Sequence, residues 1–328
     1  MQDKITREVA EQLRKKLAVV DAEGRVVLQV ALIVTVYIAD SHRHEVRENV
    51  TACCEHYARR WGPQLKWALN PQTDLMEPYG VGLGSAPRTW LPTLGEDEPF
   101  TILWHGAQDD RGAGEFSLES QGVERRPYTE FGFFRVSFPL IWIVEEQEPL
   151  TSIMLDICNR LKPVSGYAGI GIIESPDNAI SSEYEPTVFQ WAQRFPGLEV
   201  DYPISHSIWL AEGREGGRDG IKGAGWLTVI GDRYIGEMGG ASRMRADLVA
   251  IDGEIVVHSY GGGLLVQAGR FPQLGNAERN QWPTMYGKLA RYLRPIRVTH
   301  HNPFQHGGPG ERFDHERSEA WLRRLDDR

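Results

Sequence analysis

Basic charge is what this 328-residue chain is short of: 36 Lys and Arg stand against 45 Asp and Glu, a formal net charge of −9. Gripping a phosphate backbone needs a basic patch, so direct nucleic-acid binding is not expected. Cysteine is scarce as well. Cys53, Cys54 and Cys158 are odd in number, with two adjacent, which argues against a disulfide framework and for small buried hydrophobes in a reducing compartment. The longest apolar run, 26–39, is broken by Gln29 and Thr35 and is too short to span a bilayer. The first 17 residues are charged throughout and hold no signal-peptide core, so a cytoplasmic protein with no membrane partner is expected. A G-x-S-x-G elbow and a G-x-x-x-x-G-K-[ST] loop are both missing. No catalytic residue and no cofactor is therefore assigned, and a non-enzyme is expected.

What the chain does contain is an ordinary globular composition, 41% hydrophobic and 25% charged. Ile5, Val9, Leu13 and Leu17 give a first helix at fourfold spacing. A Val/Ile-rich strand follows over 25–38, then a helix capped by Ser41 and stopped by Gly62-Pro63. Residues 70–126 have weak periodicity and read as short strands in long loops. A β-run over 131–144, a helix from Pro149 to Leu161 and a glycine-laced strand over 164–173 come next. Later elements are a helix at 186–195, strands at 225–230, 254–258 and 263–268, and helices at 234–238, 278–293 and 314–325. The rhythm of strand, helix and glycine-rich strand suggests an internally duplicated α+β unit, with helices on one face of a largely antiparallel sheet. The chain divides into α+β halves at 1–175 and 176–328, or forms one compact domain.

Few residues point to chemistry. His300, His301, His306 and His315 cluster late in the sequence. Imidazoles can hold zinc, and His300, His301 and His306 are the candidates, but the spacing matches no standard zinc pattern. The Gly-rich stretch 213–225, with Arg214, Arg218 and Lys222, reads as an anion nest or as an exposed loop. Glu183 and Glu185 stand two apart without the marks of an acid/base pair. Trp90 and Trp104 fall in the irregular acidic region, where an exposed aromatic would suit a protein–protein contact and a buried one would pin a loop.

Charge placement is more informative. Residues 96–156 hold thirteen acidic and four basic residues, an excess equal to the whole net charge. Such a stretch is a solvated face or a surface shaped for a basic partner. The second reading makes Glu96, Asp97, Glu98, Asp109, Asp110, Glu145, Glu146 and Glu148 contact candidates, with Trp90 and Trp104.

Four segments carry a resemblance: GIKGAGWLTVIGD from Gly220, GGLLVQAG from Gly262 with Pro272 and Leu274-Gly275-Asn276, YGKLARYLRPIR from Tyr286, and Ala320-Trp321-Leu322-Arg323-Arg324. In them the chain resembles the TsiV-type immunity family of type VI secretion systems. The resemblance implies a cytoplasmic bacterial immunity protein that binds and neutralises a cognate secreted toxin. Toxins of that family include nucleases of the VRR-Nuc class, whose DNA-binding cleft must be basic. An acidic inhibitor would be steered to such a cleft and block it. A metal-dependent enzyme using the late histidines and an effector chaperone or adaptor are the alternatives.

Overall fold

The computed structural model describes residues 5–125, 130–145, 149–211, 218–305 and 310–328. Helix α1 (Arg7–Lys16) starts at Thr6, whose hydroxyl accepts the Val9 amide. Strand β1 (Ala18–Val20) turns back into β2 (Val26–Ile38), a thirteen-residue strand buried along nearly its whole length. Helix α2 (His44–Trp61) ends where Gly62-Pro63 tightens the chain into a 3₁₀ turn. Strands β3 (Trp67–Leu69) and β4 (Met76–Pro78) and three 3₁₀ turns precede the hairpin β5 (Phe100–His105) and β6 (Ser117–Gly122). Then come β7 (Gly132–Phe138), α3 (Trp142–Glu145), α4 (Leu150–Leu161) and β8 (Ser165–Glu174). Helices α5 (Asn178–Glu183), α6 (Glu185–Arg194) and α7 (Pro203–Trp209) lead to β9 (Leu227–Gly231), α8 (Asp232–Glu237) and α9 (Ala241–Ile251). The chain closes with β10 (Ile255–Tyr260), β11 (Gly263–Ala268), α10 (Thr284–Leu293) and α11 (His315–Leu322).

The eleven strands among the described residues form one antiparallel sheet in the order β10-β11-β9-β8-β2-β7-β6-β5-β3-β4, with β1 beside the start of β2. The α+β class and the antiparallel sheet are as the sequence indicates. Strands from both halves of the chain share it, β8 pairing with β9 through Ser165↔Ile230. Helix coverage needs correction. Phe134, Val136 and Phe138 of β7 point to α2, α3 and α4, where Tyr57 and Trp61 of α2 and Trp142 of α3 stack on Phe138 at centroid distances of 4.2–5.8 Å. Arg135 and Ser137 alternate to the opposite side, which carries α5, α7 and the chain that follows α6. Helices thus cover both faces, because β2 and β7 are apolar at successive positions and need two covers.

Local differences have local causes. The N-cap of α2 is Arg43, while the Ser41 hydroxyl accepts the Val123 amide instead. The β-run read over 131–144 stops at Phe138, since Pro139 cannot donate to the ladder. Helix α9 buries only Met244 and Leu248, too few apolar positions to show in the sequence.

Candidate functional site

One row of residues crosses the second face of the sheet. Leu103 of β5, Glu119 of β6, Arg135 of β7, Thr35 of β2, Tyr167 of β8 and Thr228 of β9 are successive cross-strand partners. Directly opposed side chains share a face and meet, so Glu119, Arg135, Thr35, Tyr167 and Thr228 line up as a polar row across the sheet. Asp201, brought over the row by the segment after α6, closes the network. Its carboxylate stands 2.8 Å from Arg135 Nε as an ion pair, and accepts the Thr35 hydroxyl at 2.7 Å and the Tyr167 hydroxyl in a short bond. Tyr167 meets the Tyr37 hydroxyl at 3.0 Å. Arg135 also reaches Glu119 Oε2 at 3.4 Å and donates to the Ile172 carbonyl at 2.9 Å.

Above this row lies a cleft of about 640 Å³, walled by β5, β6, α5, α7 and the Phe304-Gln305 segment. Among the described residues its carboxyl groups are Glu119, Glu174, Glu185 and Asp201, set against the guanidinium of Arg135. Glu174 accepts the Tyr202 hydroxyl at 3.3 Å, and Gln305 donates to that same hydroxyl oxygen. Burial pushes the Glu174 carboxyl up to about 8, against the pull of Arg135 and the Tyr202 hydrogen bond. Burial raises Glu119 as well, although Arg135 opposes it. His105, on the cleft wall, is pushed down to about 4 by burial and stays neutral. A concave acidic surface of this kind is suited to receive cationic side chains.

A second buried pair backs the cleft. Lys222 Nζ meets Glu199 Oε2 at 2.9 Å and the Val200 carbonyl at 3.0 Å, and lies 3.4 Å from the centre of the Tyr167 ring. Gly225 leaves room for that carboxylate, since a Cβ there would stand 2.3 Å from Glu199 Oε1. Nearby, Arg297 forks onto both Asp326 oxygens at 2.5 and 2.7 Å, and Tyr286 accepts the Gln273 amide at 2.8 Å.

A family model described as TsiV, type VI immunity for VRR-NUC, matches residues 49–325. The chain belongs to this family. Among solved structures, the T6SS protein PA0821 of Pseudomonas aeruginosa is similar with a TM-score of 0.82 and 23% identity, over 94% of this chain and 87% of that one. That likeness shows a shared fold. No curated protein matches the chain significantly. The TsiV match includes every residue of the cleft network except those of β2. Much of the resemblance, from Lys222 and Gly225 to Tyr286, Arg297 and Trp321, builds the layer behind the cleft.

Of the residues singled out in the sequence, few come together. Glu96, Asp97 and Glu98 are exposed at the start of β5, where buried Arg47 holds their loop through the carbonyls of Leu94, Gly95 and Glu98. Glu96 also pairs with Arg125 at 3.3 Å. Asp109 and Asp110 lie beyond the other end of the six-residue strand β5, roughly 16 Å away at about 3.3 Å per residue. Their loop reaches the cleft through Gly112 and Gly114. Glu115 turns inward to Arg14 at 2.7 Å, and Glu119 joins the row. The acid-rich stretch is therefore not one patch.

Glu145 ends α3, while Glu146, Glu148 and His306 lie outside the described residues. Trp104 is corrected from a surface aromatic to a core one. It is 1% exposed and donates to the Gly84 carbonyl at 2.7 Å. Trp90 is half-buried and donates to the Leu83 carbonyl at 3.1 Å. Lys222, read within an anion nest, is engaged by Glu199. His301 packs in the core against His206, its Nε2 3.0 Å from His206 Nδ1, and burial drives both below their usual range. His300 parts from it toward Glu319, at 3.0 Å. Sequence reasoning missed Glu174 and Asp201, and set Glu185 aside although it lines the cleft. The visible signal was Thr35, a polar residue that breaks the middle of the apolar strand β2.

Among the described residues, no helix is long and apolar enough to cross a membrane.

Proposed function

We propose that this TsiV-family chain is a cytoplasmic immunity protein that binds a VRR-NUC effector and occludes its nuclease surface, with no chemistry of its own. The acidic cleft is the observation that carries this reading. A nuclease must present cationic side chains to DNA, and such side chains complement Glu119, Glu174 and Glu185, with Asp109 and Asp110 at the approach. Complementary charge speeds encounter and disfavours wrong partners. The acidic loop at Glu96–Glu98 faces a different part of the surface and serves, in this reading, as a secondary contact.

The test is to co-purify the chain with a VRR-NUC effector, sought first in the neighbouring gene, and assay that effector's DNA cleavage. Stoichiometric binding with loss of cleavage supports inhibition. Binding with undiminished cleavage would instead mark a chaperone or adaptor. The association rate should fall as salt rises, because steering is screened beyond about 8–10 Å at physiological ionic strength.

A proton balance follows from Glu174. With its carboxyl at about 8, the free protein holds that proton at pH 7. Arg135 and the Tyr202 hydroxyl favour its charge, while Glu185 and Asp201 oppose it. A cation entering the cleft stabilises the ionised form, so complex formation near pH 7 should release a proton and affinity should rise toward pH 8. Calorimetry in buffers of different ionisation enthalpy reads this directly. Uptake of a proton, or none exchanged, counts against the cleft as the docking site. The free chain shows the opposite trend. From about 4.5 to 8 its folded form keeps a proton the unfolded form has lost, so this group's stabilisation declines as pH rises across that window.

A further inference from the structure

We propose that His300, His315 and Glu319 form a binding site for a divalent transition metal of the zinc class, with one coordination position open to solvent. His315 and Glu319 lie one turn apart on α11 and so share a face. His300 reaches them from the chain that follows the Val298–Ile221 backbone pairing, so two separate segments meet here. His300 Nδ1 stands 3.0 Å and His315 Nε2 3.8 Å from Glu319 Oε1, and all the donor atoms fall within 4.8 Å of one another. Zinc bonds of about 2.0–2.1 Å in a tetrahedron set neighbouring donors about 3.3 Å apart. Two of the separations already bracket that value. The half-exposed His315 ring, with 50% of its side chain accessible, can close the third by rotating.

The donor set selects the metal. Two imidazole nitrogens and one carboxylate suit zinc, nickel or copper, whereas calcium and magnesium prefer all-oxygen shells. The second Glu319 oxygen takes Arg323 Nη2 at 2.9 Å, which fixes the carboxylate with its other oxygen toward the histidines. Partners of this kind orient metal ligands. His301, the adjacent candidate in the sequence, is engaged by His206 in the core and takes no part.

The site has a structural consequence. It would tie residue 300 to α11, across the segment whose Phe304 and Gln305 wall the acidic cleft. Ser318 already holds that segment through the Phe304 amide at 3.0 Å.

The experiment titrates the full chelator-treated chain with zinc chloride by calorimetry and follows its melting. One zinc per chain is expected, with a melting temperature that rises with zinc concentration because the metal binds the folded form. His315→Ala and Glu319→Gln should each weaken binding by about 100-fold or more, beyond the ~10–100-fold cost of losing an outer partner. His44→Ala, on α2, should bind as the parent does. Cobalt(II) in place of zinc should give the intense visible bands of a four-coordinate site, lost in His315→Ala. The proposal is overturned if the parent takes up no zinc, or if His315→Ala and Glu319→Gln bind it unchanged while their metal-free forms melt with the parent.

Discussion

Replacing Asp201 with Ala should cost about 3–5 kcal/mol of folding stability, the scale set by stranding one member of a buried ion pair. Its side chain is fully inaccessible, and Arg135 is 11% exposed at the side chain. With Asp201 gone, Arg135 keeps Glu119 at 3.4 Å and one carbonyl, while the Thr35 and Tyr167 hydroxyls lose their acceptor. Domains are stable by only about 5–15 kcal/mol, so the denaturation midpoint should drop markedly. Glu119→Gln should cost far less, because burial already disfavours its charge. Removing all three charges, as Arg135→Met and Asp201→Leu with Glu119→Gln, should recover much of the loss, since apolar replacements of buried ion groups are often neutral or better and no charge is left stranded. A cost below about 1 kcal/mol for Asp201→Ala would mean that water reaches the row and screens it.

That network explains what could and could not be read from the sequence. β2, α2, α4, β8 and β11 announce themselves because their burial repeats along the chain, at period 2 or 3.6 or as an unbroken apolar run. The cleft has no such repeat. Thr35, Glu119, Arg135, Glu174 and Asp201 are far apart in the chain; strand register joins the first three, and tertiary packing brings Asp201 onto them. The charge count found an acidic stretch but treated it as a line. Folding breaks the line at the ends of β5, turns Glu115 and Glu119 inward, and adds Glu174, Glu185 and Asp201 from outside it. Trp104 shows the same limit, since a tryptophan in an irregular segment reads alike whether it faces a partner or holds the Gly84 turn. The late histidines were visible as a group. Their partition into a core pair and a surface trio depended on α11 bringing Glu319 beside only one of the adjacent pair.

Charge reversal at the cleft should abolish protection against the effector, whereas reversal at the far acidic loop should not. Glu174→Lys combined with Asp109→Lys and Asp110→Lys places cations where the effector's own must dock. Rim reversals act mainly on association and its salt dependence. An unpaired charge in the cleft acts on dissociation and costs about 2–5 kcal/mol, roughly 30- to several-thousand-fold in Kd at ~1.4 kcal/mol per decade. Glu96→Lys, Asp97→Lys and Glu98→Lys together lie at the other end of β5 and should shift Kd by about tenfold or less. Glu174→Gln separates docking from folding. Its amide mimics the neutral carboxyl that the free protein already carries near pH 7, so melting should be unchanged. Because it cannot ionise, both the proton release and part of the affinity should vanish. Should the loop triple lose protection while Glu174→Gln keeps it, the docking surface belongs at the start of β5, and the buried carboxylates of the cleft hold the sheet to its covering helices instead.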